Sequence, residues 1–468
     1  MPPDRLMADN LSDGDRRLIE RTRLTQLLER ERASYRAGHP RSFEAYTSSR
    51  HLFGRVPMTW MNKNAGGFPL YAAKARGARV EDIDGKVFID FCLGDTGAMA
   101  GHSPEPMVEA VVQQIAKNGG VTMMMPTVDA DWVGTELTRR FGLPYWSFAL
   151  TATDANRWAI RLARAITGRP RILFNSYCYH GTVDESLIVV GPDGRGASRE
   201  GNVGAPTDVT TTSRVAEYND LEGLERELAH RDVAALLMEP ALTNMGIVLP
   251  QDGYLAGVRA LTKTYGTLLI NDETHTFSAG PGGCTMAWGL APDILTIGKA
   301  IAGGIPVGAY GLSEELARHL ASRSDLDMVD VGGVGGTLAG NPVSIAAARA
   351  TLEHVLTDEA FERMIALGGR FTAGVQQVIN THELPWSVSQ LGARTEYRFT
   401  SPPPLNGTQS HAATDGELED YLHVYLANRG ILMTPFHNMA LMCPATSQDD
   451  VDRHREVFGE AVGELVSA

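Results

Sequence analysis

The sequence contains little cysteine: 468 residues include four, Cys92, Cys178, Cys284 and Cys443. They lie far apart and form no C-x-x-C pair, so the pattern indicates neither a zinc site nor a disulfide framework. A chain without paired cysteines is typical of a reducing compartment. We therefore expect no bound metal and no structural disulfide.

Basic residues are not in surplus either. Lys and Arg number 42 against 56 Asp and Glu, a formal net charge of −14, so the chain lacks the positive charge that nucleic acid or an anionic membrane would require. No run of 18 or more apolar residues occurs, and the first ten residues, MPPDRLMADN, contain no apolar stretch of the signal-peptide type. These absences predict a cytoplasmic protein without a membrane span.

Nucleotide-binding motifs are also missing. The phosphate-binding motif G-x-x-x-x-G-K-[ST] needs a first glycine and a hydroxyl after the lysine, but around Gly298-Lys299 these positions are Asp293 and Ala300. No G-x-G-x-x-G follows a predicted strand and opens a helix. The Gly298-Lys299 pair therefore needs another explanation.

The middle of the chain alternates apolar strand-like runs with helical patterns. Several of the runs are apolar on both faces, which is typical of a mostly parallel sheet covered by helices. Strands are predicted at 148–150, 171–175, 234–239, 267–271, 294–297 and 307–311, and helices at 104–117, 154–167, 221–230 and 255–265.

The two ends of the chain have a different character. The sequence predicts an N-terminal helix over 13–37, a hairpin that turns at Asp84-Gly85, a strand-rich stretch WSVSQLGARTEYRF and a last helix from Gln448. The length indicates two domains. We expect a large α/β domain over 101–340 and a smaller α+β domain built from 1–100 and 341–468.

One predicted strand ends on two acids. The stretch TLLINDETHTFSAG passes from apolar residues to Asp272 and Glu273. Acids at strand ends often cap a following turn or helix, which is one interpretation. The other is that an open α/β sheet carries its chemistry at the carboxyl ends of its strands.

The next predicted strand is followed by Lys299, the only charged residue between Asp293 and Glu314. A lysine in apolar, glycine-rich surroundings has a lowered pKa and a nucleophilic amine. That amine suits Schiff-base chemistry. A lysine on a surface turn is the alternative.

A lysine and an acid in this arrangement match the needs of pyridoxal phosphate, which takes a lysine for its aldehyde and an acid for its ring nitrogen. The phosphate would lie at a helix N-terminus, and Thr151–Asp154 precede a predicted helix. A simple N-cap explains these threonines equally well. Tyr179, beside His180, could cover the ring.

Taken together, these stretches resemble a class III aminotransferase of the fold type I pyridoxal phosphate enzymes. The resemblance runs from about residue 70 to 451 and implies a large domain with a mostly parallel seven-stranded sheet and a smaller α+β domain. The motifs that carry it stand in the family's order: TATDAN (151–156), CYHG (178–181), MEP (238–240), INDETHT (270–276), IGKAIAGGIPVGA (297–309) and GGTLAGNP (335–342).

The resemblance also implies roles for individual residues. Lys299 would form the Schiff base and Asp272 would hold the ring nitrogen. Further cofactor contacts are implied for Ala152, Thr153, Tyr179, His180, Glu239, Thr274 and Thr337. Thr337 would reach the phosphate of the neighbouring subunit, which implies a homodimer with shared active sites.

Five positions depart from the family's pattern. Ala152 replaces a glycine of the phosphate loop, and Asp154 replaces its glutamate. Arg55 replaces the second glycine of a Gly-Gly-Val entry loop, and Thr274 stands where a valine usually packs on the ring. His275 stands where glutamine, methionine or isoleucine is commoner.

The pattern is nearest to glutamate-1-semialdehyde aminomutases and to β-amino acid or amine transaminases. It implies a transaminase (EC 2.6.1 type) that moves an amino group between an amine or an α- or β-amino acid and a keto acid or ketone by ping-pong Schiff-base chemistry. The alternative is an aminomutase of the glutamate-1-semialdehyde type, or another lyase on the same cofactor.

Substrate contacts are predicted for Arg394, Arg398 and Trp60. Arg394 is the first choice for binding a carboxylate, because a guanidinium does so bidentately. Arg394, Glu396 and Arg398 share one face of a predicted strand, so an exposed ion-pair ladder is the alternative.

Overall fold

The structure is a computed structural model that describes residues 19–328 and 330–467. Residues 13–18 of the predicted N-terminal helix lie outside this part of the chain. Two compact units are formed: the first holds the described residues up to Asp95, Met364–Pro404 and the chain from Gln409, and the second holds Thr96–Arg363 and Leu405–Thr408. The predicted domain limits at 100 and 340 stay a prediction.

The first unit begins with two helices and three strands: α1 (Arg21–Gly38), α2 (Pro40–Ser48), β1 (Ala72–Arg76), β2 (Arg79–Asp82) and β3 (Val87–Asp90). Strands β2 and β3 pair antiparallel, and Gly85 in the turn has a φ of 84°. The Asp84 carboxylate accepts hydrogen bonds from the backbone N–H groups of Arg41 and Ser42, at 2.8 and 3.0 Å. The predicted hairpin is therefore fixed by its turn to the start of α2.

The second unit alternates strands and helices. Its elements are α3 (Glu105–Gln113), α4 (Val128–Phe141), β4 (Tyr145–Ala149), α5 (Ala152–Thr167), β5 (Arg171–Asn175), β6 (Ile188–Val190), β7 (Gly196–Ser198), β8 (Ser213–Ala216), α6 (Leu221–Leu228), β9 (Val233–Met238), α7 (Tyr254–Tyr265), β10 (Leu268–Asp272), α8 (Gly283–Ala287), β11 (Ile294–Ile297), β12 (Gly308–Leu312), α9 (Glu314–Ala321) and α10 (Pro342–His354).

A seven-stranded sheet forms the centre of the second unit, in the order β4-β12-β11-β10-β9-β5-β8. Strand β12 is antiparallel to both of its neighbours, and the other pairings are parallel. All residues of β9 and β11 are buried, as expected for strands covered on both faces. The mostly parallel seven-stranded sheet that the resemblance implied is confirmed.

Six elements of the second unit were not predicted: α4, β6, β7, β8, α8 and α9. Strand β8 begins with Ser213 and Arg214, so it lacks a continuous apolar run. Helix α4 buries Val133, Leu137 and Phe141, which stand at i, i+4 and i+8 and were available as a signal. The predicted helix at 104–117 is confirmed as α3 continued by a π-helical turn over Gln114–Asn118.

The chain returns to the first unit through its last elements: α11 (Asp358–Thr381), β13 (Ser387–Leu391), β14 (Arg394–Arg398), α12 (Gly407–Ala412), α13 (Gly416–Asn428), β15 (Ile431–Leu432), β16 (Met439–Leu441) and α14 (Gln448–Val466). Strands β13 and β14 lie in the predicted strand-rich stretch and pair as a hairpin, with Gly392 at a φ of 60° in its turn. All five residues of β14 are buried, so the alternative of an exposed ion-pair ladder is wrong.

Among the residues that the structure describes, no helix combines the length and the apolarity needed to cross a membrane. The four cysteines carry free thiols, and Cys178, Cys284 and Cys443 are buried.

A buried arginine organises one side of the second unit. Arg140, in α4, is 1% exposed and donates to the Glu136 carboxylate at 2.7 Å. It also donates to three backbone carbonyls, of Pro281, Leu352 and Leu356, at 3.1, 3.0 and 2.9 Å. A buried guanidinium is tolerated when its donors are satisfied in this way. Arg140 thus ties α4 to the end of α10 and to the segment before α8.

Replacing Arg140 should destabilise the protein. Arg140→Met leaves three buried carbonyl groups without this donor and removes one of the two arginines that donate to Glu136, which should cost about 3 kcal/mol. Thermal unfolding followed by circular dichroism should show a Tm lower by several degrees. Arg139→Met is the matched control, because Arg139 bonds the same glutamate but is 49% exposed and should contribute less than about 1 kcal/mol. Equal losses for both variants would contradict this assignment.

Candidate active site

The Asp272 carboxylate, at the carboxyl end of β10, is buried and fully hydrogen-bonded. Its Oδ2 lies 2.8 Å from Asn156 Nδ2 and 2.9 Å from His180 Nδ1, and its Oδ1 accepts from the backbone N–H of Thr274 at 3.0 Å. Burial alone would raise the pKa of this carboxyl, but the His180 imidazole and the other donors outweigh burial and lower it to about 2. Asp272 is therefore a carboxylate at neutral pH.

His180 and Asn156 hold this carboxylate in place. Burial would lower the pKa of His180, but the Cys178 sulfur and the Asp272 carboxylate raise it above the usual value for histidine. Asn156 also accepts from Thr296 Oγ1 at 2.6 Å, and Thr296 stands beside Asp272 in the register of β11 against β10. The acid is thereby fixed from α5, from β11 and from the loop that follows β5.

Glu273, the second acid of the pair, has a different role. Its carboxylate is buried and accepts from Thr276 Oγ1 at 2.5 Å, from the backbone N–H groups of Cys284 and Thr285 at 3.1 and 2.6 Å, and from Thr285 Oγ1 at 2.6 Å. The two interpretations of the acidic pair therefore apply to one residue each. Glu273 caps the following turns and α8, while Asp272 is held by Asn156 and His180 at the carboxyl end of β10.

Lys299 begins the turn after β11 and has a φ of 50°. Positive φ is uncommon for a residue other than glycine and is found most often at functional sites. Its Nζ lies 2.9 Å from His275 Nε2. Lys299 and Asp272 thus follow neighbouring parallel strands, at the same edge of the sheet.

His275 connects Lys299 to a further residue. Its Nδ1 lies 2.9 Å from Thr96 Oγ1, and both side chains are buried. Thr96 has a φ of 83°. The three side chains Thr96, His275 and Lys299 form a continuous hydrogen-bonded row, which we call the Thr96–His275–Lys299 row.

The predicted phosphate loop lies at the N-terminus of α5. Thr151 is the N-cap and accepts from the backbone N–H of Asp154 at 3.1 Å, so the N-cap interpretation holds for this threonine. Ala152 and Thr153 occupy the first turn, whose N–H groups have no acceptor within the helix. Thr153 Oγ1 accepts from the backbone N–H of Thr182 at 3.3 Å. The loop containing Gly181 therefore packs against this turn.

The other residues predicted to contact the cofactor are placed as follows. Thr274 and Glu239 are buried, and Glu239 Oε2 accepts a hydrogen bond from Thr243 Oγ1. Tyr179 precedes the buried His180 and is 39% exposed. Thr337 is exposed on the single chain. Their contacts with a cofactor stay a prediction.

The residues predicted to bind substrate lie in the first unit. Arg394 is fully buried, with Nη2 3.7 Å from Asp95 Oδ1. Arg398 is buried and donates to the carbonyl of Ser410 and to Thr414 Oγ1. Trp60 is half-exposed in a short turn and packs edge-on against Phe436, at 6.2 Å between ring centroids.

Three features of the candidate site in the second unit were not predicted from the sequence: the contact of Asn156 with Asp272, the contact of Thr96 with His275, and a role for His275. Asn156 is the last residue of the TATDAN motif, so its position one helical turn into α5 could have indicated that it reaches the cluster. Thr96 lies about 180 positions before His275, and no local pattern connects residues at such a separation.

These residues fit pyridoxal phosphate. Asp272 supplies a carboxylate for a protonated ring nitrogen, Lys299 supplies the amine, and the first turn of α5 supplies N–H groups for a phosphate. Glycines leave room beside that turn: a Cβ on Gly298 or on Gly308 would lie 3.0 Å from the backbone nitrogen of Ala152. A Cβ on Gly298 would also lie 3.0 Å from the Cβ of Ala152, so glycine at 298 leaves room for the alanine that replaces the family's glycine.

Similarity to known proteins supports the fit of this site to pyridoxal phosphate. The profile of the aminotransferase class-III family matches residues 60–461. A glutamate-1-semialdehyde 2,1-aminomutase from Desulfitobacterium hafniense (strain DSM 10664 / DCB-2) is 33% identical over 395 residues, which cover 83% of this chain and 90% of that protein.

Solved structures resemble the chain closely. The crystal structure of a glutamate-1-semialdehyde aminomutase from Pseudomonas aeruginosa PAO1, in complex with PMP, has a TM-score of 0.93 and 44% identity and covers 96% of this chain and 99% of its own. An omega-transaminase from Sphaerobacter thermophilus has a TM-score of 0.82 and 30% identity, over 91% and 98% of the two chains.

Asp272→Asn should separate the charge of this residue from its shape. The amide keeps the volume but cannot provide the negative charge that holds a ring nitrogen protonated, so the rate should fall by on the order of 10²-fold or more. Single-turnover absorbance measurements with an amino donor give this rate. Cofactor content and near-UV circular dichroism serve as controls for binding and folding. Unchanged single-turnover rates would contradict the proposed charge effect.

Proposed function

The chain belongs to the class-III aminotransferase family, and we propose that it is an aminomutase, which moves an amino group between two carbons of one substrate. The observation that carries this proposal is the likeness, over nearly the whole chain, to an enzyme described as a glutamate-1-semialdehyde aminomutase. The curated relative from D. hafniense bears the same description. We propose a substrate of the glutamate-1-semialdehyde type: an α-amino aldehyde that also carries a carboxylate.

Pyridoxal 5′-phosphate is the cofactor of the chain. When bound, it supplies an electron-withdrawing ring that stabilises negative charge at the carbon next to the substrate nitrogen. We propose that Lys299 attaches to the cofactor and moves protons at the substrate carbon. Asp272, fixed by His180 and Asn156, keeps the ring nitrogen protonated. Ala152, Thr153, Tyr179, Glu239 and Thr274 are proposed to complete the cofactor site.

A transaminase is the second candidate, favoured by the likeness to the S. thermophilus omega-transaminase. The two reactions make different demands on the protein. A transaminase needs an amino donor and a separate keto-acid acceptor, whereas a mutase returns the amino group to the molecule from which it came. Whether turnover requires a separate keto acid therefore distinguishes the two candidates.

The mutase proposal predicts isomerisation without an acceptor. Purified protein with glutamate-1-semialdehyde alone should form the isomer that carries the amino group on C1 and the keto group on C2, as followed by mass spectrometry and NMR. Lys299→Ala should lose this activity by many orders of magnitude, because the attaching amine is gone. If turnover instead needs an added keto acid and consumes it in a one-to-one ratio, the enzyme is a transaminase.

We propose that Arg394 binds the substrate carboxylate. Arg398 on the same strand face already donates to Ser410 and Thr414, which favours a structural role for it. Trp60 is retained as a candidate wall of the substrate site. A guanidinium binds a carboxylate through two parallel hydrogen bonds, a geometry that lysine cannot reproduce.

Arg394→Ala should therefore raise the KM for carboxylate-bearing substrates. Loss of one charge-assisted contact of about 2 kcal/mol corresponds to on the order of 30-fold. Reaction with a simple amine that lacks a carboxylate should change much less. Arg398→Ala is the matched control and should lower the Tm without this substrate dependence. Equal losses for both classes of substrate in Arg394→Ala would show that Arg394 is structural.

We propose a homodimer with shared active sites. The second unit exposes apolar side chains on one segment, which we call the 112–128 surface: Val112, Ile115, Val121, Met124, Met125 and Val128. Exposed apolar residues in such density are typical of a protein interface. Thr337, exposed on the single chain, is proposed to reach the cofactor phosphate of the neighbouring subunit. A cytoplasmic location stays a prediction.

Met124→Glu should disrupt the dimer. Met124 is 92% exposed on the single chain, and burying a carboxylate against a second copy is costly. Analytical ultracentrifugation should show a dimer for the unaltered protein and a monomer for Met124→Glu. Val203→Glu, at an equally exposed residue outside the 112–128 surface, is the control and should remain dimeric. An unaltered chain that is a fully active monomer would refute the proposal.

A further inference from the structure

His275 Nε2 lies 2.9 Å from Lys299 Nζ, while its other nitrogen is 2.9 Å from Thr96 Oγ1. Both histidine nitrogens are thus engaged, and the ring is buried within the second unit. The row Thr96–His275–Lys299 is separate from the contacts that hold Asp272, which come from His180, Asn156 and Thr274. It therefore acts on the lysine and not on the acid.

We propose that His275 is the proton acceptor for Lys299: it takes a proton from the Nζ ammonium and so leaves the neutral amine that attaches to the cofactor. The inference rests on the proposed function in one respect, that Lys299 is the attaching residue. In this step the Nζ–H bond breaks, an Nε2–H bond forms, and the positive charge moves from the lysine to the imidazole.

The hydrogen-bond chemistry of the row suits this transfer. An ammonium has donors only, so His275 Nε2 must accept while Lys299 is charged, and the remaining ring proton is then on Nδ1. The Nδ1–H donates to Thr96 Oγ1, which can accept. After the transfer the imidazolium still donates from Nδ1 to Thr96, and it donates from Nε2 to the amine. Neither contact has to break, so Thr96 fixes the tautomer that can receive the proton.

Backbone geometry supports a role beyond packing. Thr96 and Lys299, the two ends of the row, both have positive φ, at 83° and 50°. Such conformations are unfavourable for side chains other than glycine, most of all for a β-branched threonine, and they persist where the surrounding structure holds a residue in place. The strain is thus located at the two residues that His275 connects.

The test is the rate at which cofactor-free protein attaches pyridoxal 5′-phosphate, measured with no substrate present. Reduction with borohydride at set times, followed by peptide mass spectrometry, gives the fraction of Lys299 modified. His275→Gln keeps a hydrogen-bonding group but cannot take the proton, so the rate constant should fall by on the order of 10²-fold at saturating cofactor. His319→Gln, the same change at an exposed histidine, should leave the rate unaltered.

Three further variants decide between proton transfer and structural support. Thr96→Val should slow attachment by about fivefold, the equivalent of one neutral hydrogen bond, and Thr96→Ser should slow it less. His275→Ala should regain rate when imidazole is added to the solution, which a purely structural role would not produce. Attachment by His275→Gln at the unaltered rate, or no response of His275→Ala to imidazole, would overturn the proposal. Because no substrate is used, these results are independent of whether the enzyme is a mutase or a transaminase.

Discussion

The second unit depends on one buried charge, the Asp272 carboxylate at the end of β10. A carboxylate without partners at this depth would take up a proton, because burial disfavours the charged form. Asn156, His180 and the backbone of Thr274 prevent this by donating to it, and His180 brings a compensating charge. These donors come from α5, from the loop after β5 and from the turn after β10. Three segments that meet at this edge of the sheet therefore each contribute a donor that keeps Asp272 ionised.

Much of the fold could be predicted because its strands are apolar on both faces. The predicted strands at 171–175 and 294–297 coincide with β5 and β11, and Asp84-Gly85 marks the hairpin of β2 and β3. What could not be predicted depends on contacts distant in sequence. Arg140 is an ordinary charged residue in the sequence, and only the carbonyls of Pro281, Leu352 and Leu356 explain its burial. Strand β8 has the same length as β11 but begins with Ser213 and Arg214, so it lacks the continuous apolar run that marks β11.

Some features of the candidate site could likewise be predicted from the sequence, and others could not. Lys299 and Asp272 could be found because charged residues directly after apolar runs are conspicuous and because parallel strands bring their carboxyl ends together. The local pattern did not separate the roles of Asp272 and Glu273, since both lie at the end of the same strand. The resemblance assigned Asp272 to the ring nitrogen, and the hydrogen-bond partners of Glu273 show its capping role. The contact between His275 and Thr96 could not be read either, because it joins segments far apart in the chain.

The departures from the family's pattern have physical consequences that differ in kind. Ala152 adds a methyl group in the phosphate loop, and the glycine at 298 leaves space for it, so this change is compensated locally. His275 adds a titratable group within hydrogen-bonding distance of Lys299, the residue proposed to attach to the cofactor. An isoleucine or a methionine at that position would fill the volume but could not accept a proton from an ammonium. The first departure is therefore compensated by a neighbouring glycine, whereas the second adds a group that can accept a proton, and under our proposal that group acts on Lys299 before any substrate binds.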